Sequence, residues 1–371
     1  MVAPNTKPQS KTKPALKSPE RKIGLLGASG YTGRLVVQEL QNRSLSAKIG
    51  VRSETKLNQK LGEIGVELNK SLIQVEEFDI SSEADLAAFI ADLDVLITTV
   101  GPFSTLGEPV VAACAKAGVH YVDSTGEPAF MQHIYEQYSD AQCAIVPACG
   151  NDYIPGDLAS FIACQDVETS GDVARKVVIY YKISHMTPTR GTLKSALGAL
   201  ATSGDPGELR SETVLGLPVN TLEIPWGEDV TVRMHHKDTE VSCRLIINHA
   251  LGSLAGWATP LMRLAVPILE RGSNLVPEGP SISRRKQAAY QVVATCHGDK
   301  VSKTVAVIGK DIYGSTAKLL VEAALQVSGK GAMAPAQALD AETFLDLVTG
   351  KDPEFLWKRI DSELLAMTRQ V

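Results

Sequence analysis

Three glycines restrict most strongly what this chain can become. Gly27, Gly30 and Gly33 in GLLGASGYTGR follow a short apolar run at 22–26 and open an amphipathic segment at 32–41. A strand that turns into a helix through such residues leaves the first N–H groups and the positive end of the helix uncovered. That is the place where a dinucleotide pyrophosphate requires close backbone approach. The spacing is GxxGxxG rather than the commoner GxGxxG, and three glycines alone could equally make a tight βα turn.

What surrounds the turn favours an α/β chain. From 22 to 147, short apolar runs alternate with amphipathic segments: KIGLL, the helix at 32–41, AKIGV, IQVEEFD and DVLITTV. Such alternation predicts parallel strands joined by helical crossovers, and strands without a polar side predict a sheet covered on both faces. In GEPVVAACAKAG, Val110, Cys114 and Ala117 share one helical face and Gly118 supplies the stop, while VHYVD and CAIVPA add two strands. After Gly150 the texture changes. KVVIYYKIS reads as a strand, RGTLKSALGAL as a helix, and YQVVATCHGDKVSKTVAVIG as a hairpin turning at Gly-Asp. TAKLLVEAALQVS reads as a buried helix and PEFLWKRIDSELLAM as an amphipathic one.

Composition removes several classes. With 44% hydrophobic and 21% charged residues, the chain is globular in character, and 371 residues suit two domains. The net charge of −5 divides unevenly: residues 1–22 carry +5, leaving 31 bases against 41 acids in the rest. Nucleic acid is therefore not expected as a partner of the folded part. The opening stretch, with four prolines and no apolar core, reads as a disordered basic tail rather than a signal peptide or membrane helix. Six cysteines form no CxxC pair and no Cys/His cluster has zinc spacing, so neither disulfides nor a metal is expected, and a cytoplasmic location fits. The nearly apolar run at 250–269 has the length of a membrane span, but Arg263 and two prolines favour a buried or surface-docking helix pair.

The ends of the strands carry the candidate chemistry. An acid after the second strand would accept the ribose hydroxyls of NAD; this chain has Arg52, Ser53 and Lys56 instead, which favours the 2′-phosphate of NADPH. Candidate cofactor contacts are Gly27, Ser29, Gly30, Tyr31, Thr32 and Gly33 in the first turn, and Arg52, Ser53 and Lys56 after the second strand. Asp79 after the third strand borders the adenine or caps the helix beginning near Ser82. Thr99, Val100, Gly101, Pro102 and Phe103 after the fourth strand, with Gly126 after the fifth, border the nicotinamide side. The segments VDSTGEP and ACGNDYIPGD form the expected active-site floor. His120, His185, His235 and His236 read as packed or solvated. Tyr153, Asp157 and Arg190 are the better candidates for catalysis, although Asp157 could instead cap the following helix.

Over 22–347 the chain resembles the saccharopine dehydrogenase-like oxidoreductases, through GASGYTGRL, VRSETKL, TTVGPFSTLGEPVVAACAKAGVHYVDSTGE, PACGNDYIPGDLAS, IGKDIYGSTAKLLVEAAL and GAMAPAQAL. The GNDYIPGDL segment is similar to the IPxDL form of the trans-acting enoyl reductase branch, from which Asn151 and Arg190-Gly191-Thr192 depart. The resemblance implies a Rossmann-type doubly wound sheet at 22–150, a second α/β (α+β) substrate or dimerisation domain at 151–310, and C-terminal helices at 311–371 returning to the first. It also implies NADPH-dependent reduction of a conjugated C=C in an acyl or polyketide-like substrate, small or carrier-linked. Reduction of a C=N bond, with Arg190, Arg233 and Arg244 seating carboxylates, is the alternative enzyme; a non-catalytic NADPH-binding accessory is the alternative class. A homodimer and peripheral contact with a membrane are compatible with either.

Overall fold

A computed structural model describes residues 21–190, 208–247 and 278–360. The basic tail at 1–20, the RGTLKSALGAL segment beyond Arg190 and the apolar run at 250–269 lie outside the described residues. Among the described residues, no helix is long and apolar enough to cross a membrane.

The first half builds the parallel sheet. Strands β1 (Ile23–Leu26), β2 (Ala47–Val51), β3 (Ile73–Glu77), β4 (Val95–Thr98), β5 (His120–Asp123) and β6 (Ala144–Val146) alternate with α1 (Tyr31–Asn42), α2 (Glu54–Gly62), α3 (Glu83–Ile90), α4 (Phe103–Ala117) and α5 (Pro128–Gln137). With β13 (Gly331–Ala332) they form one sheet, ordered β13-β6-β5-β4-β1-β2-β3. All its pairings are parallel. Both faces are covered, as the lack of a polar side predicts. Leu25 packs with Val36 and Val37 of α1, while its neighbour Leu26 packs with Phe89 and Val110 on the other face. Each such fully buried side chain contributes about 1.5–3 kcal/mol. Gly118 adopts φ +72 directly after α4, which a side chain would resist, and there the helix ends.

Helix α6 (Ile154–Thr169) carries the chain into a second sheet. That sheet contains β7 (Lys176–Ser184), β8 (Leu209–Val214), β9 (Leu217–Glu223), β10 (Glu240–Ile247), β11 (Ala289–His297), β12 (Ser302–Lys310) and β14 (Leu356–Ile360). Its order is β14-β12-β11-β7-β10-β9-β8, and only β7 and β10 run parallel. The hairpin β11–β12 turns at Gly298-Asp299, where the Asp172 carboxylate accepts the Asp299, Lys300 and Val301 N–H groups. Those bonds hold that carboxyl down at about 2. The remaining helices are α7 (Glu228–His235), α8 (Ile282–Gln287), α9 (Ile312–Gln326), α10 (Pro335–Ala338) and α11 (Ala341–Lys351). Helix α9 returns to the first sheet and packs along α1, β4 and β5.

One expectation fails here. PEFLWKRIDSELLAM was expected to be helical, but 356–360 is strand β14, antiparallel to β12. It is an edge strand carrying Lys358 and Arg359, and pairing with β12 outweighs its weak helical periodicity.

Candidate functional site at the strand ends

The carboxyl ends of β1, β2, β4, β5 and β6 lie along one edge, and the loops leaving them form the site. Gly27 leaves β1 with φ +85, and its carbonyl accepts the Gly30 N–H at 2.9 Å. A Cβ on Gly33 would lie 2.0 Å from that carbonyl oxygen, so the third glycine is required by the packing of turn on helix. Gly30 differs: a Cβ there meets only the Gly27 oxygen, at 3.2 Å, and otherwise open space. Helix α1 has no side-chain cap and no acid in its first turn, which leaves its positive end available to an anion.

Ser29, Tyr31 and Thr32 are half-buried around this opening. The Tyr31 hydroxyl donates to Pro280 O at 2.8 Å, and its ring meets Tyr313 edge-on at 5.2 Å. The Tyr313 hydroxyl in turn accepts the Thr189 N–H at 2.7 Å. The second domain is thereby fastened beside the glycine turn. Arg190 belongs to the same junction, its N–H donating to Glu278 O at 3.1 Å.

At the end of β2, Arg52 is exposed and makes no hydrogen bond or ion pair among the described residues. The Ser53 hydroxyl caps α2 by accepting the Lys56 N–H, and the Lys56 side chain is exposed. Asp79 caps no helix; it accepts from the Ser81 N–H at 3.0 Å and the Ser81 hydroxyl at 2.9 Å, while Ser82 caps α3. Ser81's backbone and hydroxyl bonds, with Arg52 nearby, hold the Asp79 carboxyl below its usual range.

After β4, Thr99 Oγ1 donates to Leu26 O at 3.3 Å and to Gly27 O at 3.2 Å, which ties this loop to the glycine turn. Val100 is half-buried, and Gly101 and Pro102 are exposed. Phe103 departs from the expectation of a side-chain contact: its ring is in the core against Phe130, and its N–H donates to Glu127 Oε1 at 2.9 Å. Glu127 Oε2 accepts the Ser104 N–H at 2.9 Å, so a carboxylate of the chain itself occupies the amino end of α4. His120 is packed within β5, its Nδ1 accepting the Ala144 N–H at 3.0 Å.

The loops after β5 and β6 form the floor. Asp123 is wholly buried; its carboxylate accepts the Thr125 and Ala148 N–H groups at 2.8 Å and the Tyr121 hydroxyl at 2.6 Å. Burial nonetheless pushes it up to about 6. Tyr153 is also buried, its hydroxyl donating to Gly126 O at 3.4 Å, and burial raises that phenol well above its usual value. Asp157 is not open to the crevice. Its Oδ1 lies 3.0 Å from His235 Nε2 and its Oδ2 accepts the Ala336 N–H at 2.8 Å, so it fastens α6 to α7 and α10. His236 continues the chain, Nδ1 to Nδ1 at 2.7 Å from His235, and burial beside His235 holds it below the usual histidine range. Neither this clasp nor buried Glu228, bonded to the Tyr181 hydroxyl, was visible in the sequence.

Asp152 was also not singled out. It reaches solvent, has no hydrogen bond among the described residues, and its Oδ2 lies 3.5 Å from the Cβ position of Gly126. Desolvation raises its carboxyl to about 6. Among the described residues, no group of acids, histidines and cysteines could hold a metal.

Comparison with known proteins agrees with this geometry. Residues 23–149 match the family described as saccharopine dehydrogenase NADP binding domain. A trans-acting enoyl reductase of Mycobacterium ulcerans (strain Agy99) is 33% identical over 200 residues, 52% of this chain and 47% of that protein. A trans-acting enoyl reductase of Mycobacterium bovis (strain BCG / Pasteur 1173P2) is 30% identical over 196 residues, 51% of this chain and 46% of its own. The chain thus spans about half the length of these curated relatives. Apo saccharopine dehydrogenase (L-Glu forming) from Saccharomyces cerevisiae has the same fold, with a TM-score of 0.61 at 13% identity over 92% of this chain and 100% of that one. Residues 23–149 therefore match a saccharopine dehydrogenase NADP binding domain, which supports NADPH as the cofactor, and the chain is similar in fold to saccharopine dehydrogenase.

Proposed function

We propose that the protein is an NADPH-dependent oxidoreductase that reduces a conjugated C=C bond of an acyl or polyketide-like substrate. The observation that carries the reading is the edge itself: an α1 amino end bare of acid, open space at Gly30, and an exposed Arg52 beyond β2 with no hydrogen bond or ion pair among the described residues. The first-turn N–H groups would hold the pyrophosphate and Arg52, with Lys56, the 2′-phosphate. Thr99 to Pro102 and Gly126 would border the nicotinamide, which when bound supplies hydride. Backbone N–H groups of the floor and Arg190, at the domain junction, would stabilise negative charge developing on the substrate carbonyl oxygen.

The choice of C=C over C=N follows the two relatives, both named trans-acting enoyl reductases. The arginines also support it. Of the three arginines that could seat a dicarboxylate, two are engaged within the protein: buried Arg244 by Glu212, Glu223 and Thr221, and Arg233 by Asp229. The test is NADPH consumption with panels of α,β-unsaturated acyl thioesters and of amine–carbonyl pairs. Turnover confined to the thioesters supports the proposal, and turnover confined to the imine-forming pairs overturns it. NADPH binding without consumption by any substrate would indicate an accessory protein.

A further inference from the structure

We infer that Asp152 is the proton donor of this site, the group that protonates the substrate carbon once hydride has been delivered. The assignment rests on the reductase reading above. It follows from how the other acids of the crevice are occupied. Asp123 accepts from three donors, Glu127 from the first two N–H groups of α4, Asp157 from His235 and Ala336, and Glu228 from Tyr181. Asp152 alone among these carboxyls has no hydrogen bond among the described residues and is open to water. It stands in the turn from β6 into α6, with its Oδ2 across from Gly126 in the loop after β5. Two neighbouring strand ends of a parallel sheet thus converge on it, at the edge where this class of sheet binds its ligands.

Its surroundings suit the task. The titratable groups that face it are the Tyr153 hydroxyl and the Glu228 carboxyl, both pushed up by burial. Neither pairs with it as a cation, so nothing on the described elements stabilises its ionised form, and the carboxyl titrates at about 6. A carboxyl tuned to that range gives up its proton near neutral pH and regains it from water. Tyr153, the alternative donor, is buried, and its hydroxyl is spent on Gly126 O.

The step balances. Hydride forms a C–H bond at the β-carbon while the C=C π pair moves toward the carbonyl as an enolate. The α-carbon then takes the Asp152 proton, the enolate pair forming the second C–H bond, and solvent water reprotonates the carboxylate. Overall, NADPH and one proton are consumed, the substrate is reduced and NADP⁺ is formed.

The experiment compares wild type, Asp152→Asn and Asp152→Glu. Because Asp152 makes no hydrogen bond among the described residues, Asp152→Asn is expected to retain its melting transition and to bind NADPH within about twofold of wild type. Its kcat should fall by about 10²–10⁴, the usual contribution of a general acid. Asp152→Glu should recover part of the rate with a shifted pH profile. In the cofactor-free protein, infrared difference titration should show two carboxyls with midpoints near 6 in wild type, Asp123 and Asp152, of which only Asp123 remains in Asp152→Asn. An unchanged kcat and pH profile in Asp152→Asn, or no carboxyl near 6 lost between wild type and Asp152→Asn, overturns the assignment and leaves the reductase reading standing. Absence of wild-type turnover with every unsaturated acyl substrate overturns both.

Discussion

Arg52 and Asp123 show how differently two charged residues of one sheet edge can be used. Arg52 is exposed and makes no hydrogen bond or ion pair among the described residues, only a charge contact with Asp79, so a phosphate can take its guanidinium at little cost in lost contacts. Arg52→Asp should therefore weaken NADPH at least about tenfold more than NADH, a difference of about 1.4 kcal/mol. Equilibrium titration of both cofactors checks this, and equal losses would remove Arg52 from the phosphate site. Asp123 is spent entirely within the protein, holding the β5 and β6 loops through three donors. An amide there cannot accept from all three, so Asp123→Asn should lose about 1–3 kcal/mol in denaturant melts. The pH dependence has a definite sign. Burial raises the Asp123 carboxyl in the folded state to about 6, above its unfolded value of about 4, so its contribution is full below about pH 4 and declines as pH rises through 6. The advantage of wild type over Asp123→Asn should shrink across that interval; an advantage that grows with pH would contradict the burial argument.

At the scale of the element, the glycine turn separates two requirements that the sequence presents as one. Gly33 is needed by the protein, since a Cβ would lie 2.0 Å from a backbone oxygen; Gly30 is needed only by what binds there. Gly33→Ala should lower the melting temperature with or without cofactor, a strain of about 1–3 kcal/mol. Gly30→Val should keep a cooperative transition but lose the upward shift that saturating NADPH gives wild type. Retention of that shift would make the loop a turn and nothing more. The strand–helix alternation was legible because a parallel sheet covered on both faces writes itself as apolar runs, and the topology then placed the loops after β1, β2, β4, β5 and β6 together. Strand β14 was not legible: in LWKRI the strand and helix periods coexist, and only the partner β12 decides between them. The acids of the floor were legible as a group but not by role. Asp152 and Asp157 lie five residues apart in one motif, and what distinguishes them is His235, 78 residues from Asp157, reached only through tertiary packing.

Over the whole molecule, the chain must return from the second sheet to the first, and a buried ion network marks where it does. Glu322 of α9 is fully buried and accepts from Arg43, next to the end of α1, and from Lys351 of α11 at 2.6 Å; Arg43 also pairs with Glu39. Burial by itself would raise the Glu322 carboxyl, but the bonds and charges of Lys351 and Arg43 outweigh it and hold the group below its usual value. A carboxyl depressed in the folded state contributes stability that is present above its unfolded value and disappears as pH falls through the folded one. Removing Arg43 should therefore leave a buried charge half-compensated. Arg43→Met is expected to cost somewhat less than the roughly 3–5 kcal/mol of breaking a buried pair outright, because Lys351 remains. The loss should be larger at neutral pH than at a pH below the usual glutamate range, where Glu322 takes up a proton. Urea melts at the two pH values measure it. A loss that is the same at both would show that Arg43 acts through its aliphatic packing alone, and that charge does not fasten α9 to the first domain.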